Sequence, residues 1–131
     1  MNIPSLSCKI EMFCTVNSSE SIEKIEKAIS NIFPYSIINN NNLSINAQSK
    51  ELRSFEKIYQ FIHNNQLQKN YLRSLEDHLQ DDTTWFYLNK QAAFVEQIAI
   101  CEESNESPLG PIKVTITSSN IDAIIDWLIF D

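Results

Sequence analysis

From Leu6 to Val16 the chain alternates without a break, with Leu6, Cys8, Ile10, Met12, Cys14 and Val16 set against Ser7, Lys9, Glu11, Phe13 and Thr15. A period of two places each set on its own side of an extended strand, so the segment demands a sheet with one covered face and one open face. Near the other end Ile112, Val114 and Ile116 alternate with Lys113, Thr115 and Thr117 and make the same demand. Phe13, Thr15, Lys113, Thr115 and Thr117 are therefore expected on the second face, which is solvated, occupied by a ligand or buried in an oligomer.

The remaining elements follow from spacing and punctuation. Asn17 followed by Glu20 suits a helix start, and Ile22, Ile25, Ala28, Ile29 and Ile32 recur at helical spacing until Pro34 stops them, which predicts a helix from Ser19 to Ile32. Tyr35 to Ile38 and Leu43 to Ala47 flank four asparagines and read as a hairpin. Leu52, Phe55, Ile58, Tyr59 and Ile62 stripe a helix between Ser49 and His63, and a further helix is expected from Leu67 to Leu79 with Leu72, Leu75 and Leu79 inward. Strands are then expected over Trp85 to Leu88, Phe94 to Cys101 and Ile112 to Thr117, with ESNESPLGP as a turn between antiparallel strands. Ser119 and Asp122 suit a capping box for a last helix carrying Ile121, Ile124, Ile125, Leu128 and Ile129. The order favours one α+β domain over residues 1–131, an antiparallel sheet with helices packed on one face.

At 131 residues with 43% hydrophobic content, one core is affordable without covalent staples. Cys8 and Cys14 would lie about 20 Å apart along one strand, too far for a disulfide. Cys101 could reach only one of them, and no spacing suits a tetrahedral metal site, so buried reduced thiols and a cytoplasmic setting are expected. The start lacks the features of a signal peptide, and no apolar run is long enough to span a membrane.

The formal charge of −7 opposes a general electrostatic grip on nucleic acid. Its distribution is uneven: residues 49–90 carry six cations against six anions, whereas residues 91–131 carry one against seven. Lys50, Arg53 and Lys57 fall at i, i+3 and i+7, opposite the apolar stripe of their helix, and Lys69 and Arg73 form an i, i+4 pair on the next. Asn89, Lys90 and Gln91 make a polar turn between two expected strands, able to meet a phosphate or a base edge. Phe86 and Tyr87 alternate, so one of them faces outward and is available for stacking on a base. Each of these features also has a plainer reading, as a solvated helix face, a turn or a core aromatic.

Catalytic chemistry finds little support. One glycine, Gly110, cannot build a nucleotide-cradling loop, and no cofactor is implied. His63 and His78 stand alone at helix ends, the acid pairs Asp81–Asp82 and Glu102–Glu103 fall on loops, and the cysteines follow an apolar register.

The strings TTWFYLNKQAAFV, ESPLGPIKVTI and IIDWL, with NIFPY earlier, resemble the archaeal uncharacterised protein family 0201 over nearly the whole chain. The resemblance implies a fold similar to that of ribosomal protein L-five and a predicted RNA-binding role without an established activity. Family members tend to carry more arginine before the motif and a glycine after it, where this chain has Lys69, Arg73 and Glu96. The resulting expectation is a non-enzymatic module that binds RNA through Lys50, Arg53, Lys57, Lys69, Arg73, Asn89, Lys90 and Gln91. The alternative is a protein-interaction or structural module, a homodimer without a nucleic-acid role. Neither reading involves a membrane or a small-molecule substrate.

Overall fold

The computed structural model describes residues 2–103, 106, 107 and 109–131. Six strands, β1 (Lys9–Thr15), β2 (Ile37–Asn40), β3 (Ser44–Ser49), β4 (Thr83–Asn89), β5 (Ile100–Cys101) and β6 (Pro111–Thr117), form one sheet in the order β2-β3-β1-β6-β4-β5. Every neighbouring pair is antiparallel. Helices α1 (Ile22–Ile32), α2 (Glu56–Asn64), α3 (Gln68–Asp77), α4 (Lys90–Phe94) and α5 (Ile121–Phe130) complete the domain, with a 3-10 turn at Leu52–Phe55 ahead of α2.

The alternation in the sequence decides the layering. Ile10, Met12 and Cys14 of β1, Phe86 and Leu88 of β4, and Ile112, Val114 and Ile116 of β6 are buried beneath the helices. Ile25, Ile29, Ile58, Tyr71, Leu75, Ile124 and Leu128 meet them from the helical side. Among the described residues the outward positions of β1, β4 and β6 on the opposite face are exposed or half-buried, and none is fully buried. Phe33, Phe55, Phe86 and Tyr71 form a chain of tilted and edge-on rings through the core, with centroids 5.8 to 6.5 Å apart.

Several elements differ from their sequence expectation. Asn17 and Glu20 do bond to each other, through the Asn17 N–H and Glu20 Oε1 at 2.9 Å, but they close a turn, and Ser21 caps α1 instead. Asn39 and Asn40 belong to β2, so the hairpin reverses later, with Asn42 at φ 73° supplying the left-handed residue. The expected helix from Ser49 to His63 is divided: Ser49 ends β3, and the 3-10 turn precedes α2. On α3 Tyr71 and Leu75 are buried and Leu72 packs partly buried against the core, while Leu79 lies beyond the helix and is exposed. The expected strand from Phe94 to Cys101 is mostly absent: Phe94 ends α4, Val95 and Glu96 form a turn, and only Ile100 and Cys101 are extended. Because β4 lies between β5 and β6, the ESNESPLGP link does not join adjacent strands, and its residues Ser104, Asn105 and Pro108 lie outside the described residues. Asn120 rather than Ser119 stands at the N-cap of α5, and Ser118 Oγ accepts the Asn120 N–H at 3.0 Å.

Candidate nucleic-acid interface

The open face is built by the outward residues of β1, β6 and β4. Strand register sets Phe13 opposite Lys113 and Lys113 opposite Tyr87, one row across three strands. The next row sets Glu11 opposite Thr115 and Thr115 opposite Trp85. Phe13 is 43% exposed, while Trp85 and Tyr87 are half-buried by their neighbours. Lys113 Nζ lies 4.6 Å from the Trp85 ring centroid, a cation over a π face, and the His78 ring stacks on the same indole at 3.5 Å and 12°. Nδ1 of His78 is 2.9 Å from the Trp85 carbonyl oxygen, which can only accept, so this nitrogen carries the proton. The one carboxylate among these outward residues, Glu11, pairs with Lys9 at 3.8 Å. Phe86 faces the core and Tyr87 faces outward.

Lys90 lies elsewhere, and the expectation that it meets RNA is corrected by its burial. Its side chain is 0% exposed, and its ammonium donates to Thr15 O at 2.7 Å, Leu109 O at 2.7 Å and Glu20 Oε1 at 2.9 Å. An ammonium has three donors, and all three are spent. Glu20, its side chain 3% exposed, also accepts from the backbone and side-chain nitrogens of Asn17. Burial acts to raise the Glu20 pKa, but the hydrogen bonds from Asn17 and Lys90 outweigh it and hold the carboxyl below its ordinary value. The Lys90 N–H donates to Ser107 Oγ at 3.3 Å, and Ser107 Oγ donates to Gly110 O at 2.7 Å. Gly110 sits at φ 87°, and a Cβ there would meet Thr15 Oγ1 at 3.2 Å, so conformation and space both favour glycine. Lys90, Leu109 and Gly110 thus converge on an internal cross-link between the end of β1, the approach to α1 and the approach to β6.

The other expected contacts are dispersed. Asn89 Oδ1 accepts the Ala92 N–H at 2.9 Å and caps α4, so it is committed to the fold, while Gln91 is exposed one residue into that helix. Lys50 precedes the 3-10 turn and does not share an α-helical face with Lys57, which corrects the i, i+3, i+7 stripe. Arg53 pairs with Glu51 at 3.1 Å and stacks on the Tyr35 ring at 3.7 Å, and Arg73 pairs with Glu102. Lys50, Lys57 and Lys69 are exposed and enter none of the ion pairs among the described residues. Sequence reasoning placed Phe13 and Lys113 on the open face but did not combine them with Trp85 and Tyr87. The available signal was alternation in TTWFYLN, which sends both rings to one side.

Candidate catalytic groups are occupied by the fold. Burial pushes the Cys14 thiol up to about 11 and raises Cys8 and Cys101, against thiolate formation. Nε2 of His63 lies 2.9 Å from Leu128 O, which fixes its tautomer as well. Among the described residues no group of three or more His, Cys, Asp or Glu side chains could hold a metal ion. Nor is any helix among the described residues long and apolar enough to cross a membrane.

A six-stranded antiparallel sheet with one face under helices and one face bearing aromatic rings and lysines defines an α+β protein of the open-faced kind. A family model described as RNA binding matches residues 9–118, from the first residue of β1 to just past β6. The chain is 34% identical over 126 residues to the UPF0201 protein of Methanothermobacter thermautotrophicus, a match covering 92% of this chain and 89% of that one. Among solved structures, a UPF0201 protein with 25% identity superposes at a TM-score of 0.80, covering 94% of each chain. The UPF0201 protein of Methanococcus jannaschii superposes at 0.77, with 26% identity and 92% of each chain covered. The chain belongs to the UPF0201 family.

Proposed function

We propose that this chain is an RNA-binding protein without catalytic activity. The observation that carries this reading is the make-up of the uncovered sheet face: Phe13, Trp85 and Tyr87 stand there with Lys9 and Lys113 and one carboxylate, Glu11, in a chain whose net charge is −7. Aromatic rings offer stacking surfaces to bases and ammonium groups offer charge to phosphates, so a local surplus of both on an otherwise acidic chain suits RNA. The family description agrees with it. Lys50, Lys57 and Lys69 are candidates for further phosphate contacts, whereas Arg53 and Arg73 must first leave their acidic partners. The absence of catalysis is supported by the raised thiols and by two histidines each held against a backbone carbonyl.

A titration of labelled RNA at increasing salt tests the proposal. Affinity is expected to fall as salt rises, with log K decreasing by about 0.7 per phosphate neutralised on a single strand for each decade of salt. Absence of binding at low salt, or an affinity indifferent to salt, would overturn it.

A further inference from the structure

We infer that the open sheet face takes unpaired RNA bases, stacked on the rings of Phe13 and Tyr87 with the ammonium of Lys113 between them. This rests on the RNA-binding reading above and narrows it to single strands. Phe13 and Tyr87 are each opposite Lys113 in the register, on the two strands that flank β6. Two inter-strand steps separate the rings by about 10 Å, leaving room for a ligand on either side of the lysine. Tyr87 is braced by Trp85, 4.9 Å away at 57°, and Trp85 is itself held by the His78 stack. The platform is therefore set before any ligand arrives, and the ordering cost of binding falls mainly on the RNA.

Beside Phe13 a shallow hollow of about 150 Å³ is lined by Glu11, Asn46, Gln48, Lys113 and Thr115, among others. Two amides and a hydroxyl there can bond to the edge of a base whose face rests on the ring. Base faces are open to side chains only when the base is not stacked within a helix, and an A-form duplex presents backbone and a shallow groove instead. Two lysines, one of them paired with Glu11, are also few cations for a duplex backbone.

A second copy of the chain is the competing occupant. The outward positions from Lys9 to Thr15, Thr83 to Tyr87 and Lys113 to Thr117 include no aliphatic side chain, and Lys113 stands at their centre. Cores of subunit contacts are depleted of charge. This composition favours RNA.

The test is fluorescence anisotropy with a mixed-sequence single-stranded RNA and a blunt-ended, perfectly paired duplex of the same composition, at low salt. Wild-type protein, F13A and Y87A are compared, with circular dichroism confirming that each is folded. The expected result is preference for the single strand, loss of about tenfold in affinity in each variant, and partial quenching of tryptophan emission on binding. Phe13 is exposed, so F13A remains informative if Y87A fails to fold. Binding of the duplex as tightly as the single strand, or an F13A protein with wild-type affinity, would overturn the platform while leaving RNA binding in place. Absence of binding to either RNA would remove both readings, and a dimer in sedimentation that F13A dissociates would then assign the face to a second copy.

Discussion

Lys90 illustrates how one side chain can fix the meeting point of three segments. Its acceptors on Thr15, Glu20 and Leu109 lie 75, 70 and 19 residues away in sequence. Replacing it by methionine strands the Glu20 carboxylate in a site closed to water, and Lys90→Met is expected to cost about 3–5 kcal/mol in urea denaturation. Adding Glu20→Gln to Lys90→Met should cost less than the sum of the single changes, because the two groups share one interaction. The lowered Glu20 pKa sets the pH dependence: its contribution is complete above the unfolded carboxyl value near 4.5 and is lost as pH falls through the lower folded value. Glu20→Gln should flatten the stability profile in that acid range, as followed by urea midpoints against pH. Glu96 is a strained position, at φ 59° just after α4. Glu96→Gly is expected to stabilise by about 0.5–1 kcal/mol, since a left-handed backbone disfavours any side chain with a Cβ. A lower melting temperature in this variant would contradict that. None of the Lys90 geometry could be read from NKQ itself, because three polar residues between β-prone runs have the local appearance of an exposed turn. Burial came from partners that no short window contains.

At the scale of elements, strict alternation was the dependable signal. It named the inward and outward residues of β1 and β6 correctly, because a one-sided sheet imposes a period of two wherever it lies. The helical stripes on α1 and α5 were equally legible, with Ile25, Ile29, Ile124 and Leu128 inward as expected. The segment after β4 misled, since Phe94 to Cys101 is rich in β-formers and yet Phe94 ends α4 and a turn with Glu96 at φ 59° follows. The deciding group is the side chain of Asn89, which satisfies the Ala92 N–H and opens a turn of helix over Gln91, Ala92 and Ala93. Asn89→Ala is expected to lose about 1 kcal/mol, read from the urea midpoint, with Asn89→Ser recovering most of it. The cationic stripe failed for a related reason. A 3-10 turn advances about 120° per residue rather than 100°, and Lys50 lies before it, so helical arithmetic across Ser49 to His63 does not hold.

Across the whole molecule, the fold separates two roles that the sequence runs together. The helical side and the Lys90 cross-link hold the sheet, and the free side of the sheet presents rings and lysines drawn from β1, β4 and β6. Strand order made that surface: only because β6 lies between β1 and β4 do Phe13, Lys113 and Tyr87 form a row. Pairing order depends on contacts between distant segments, which explains why the platform could not be assembled from the sequence even though most of its outward positions could. The most direct test is a nuclear magnetic resonance titration of isotope-labelled protein with single-stranded RNA, following backbone amides of every element. The account expects the largest shifts at Phe13, Trp85, Tyr87 and Lys113 and their neighbours on the open face. Shifts confined to α2 and α3 around Lys57 and Lys69, with the sheet face silent, would contradict it.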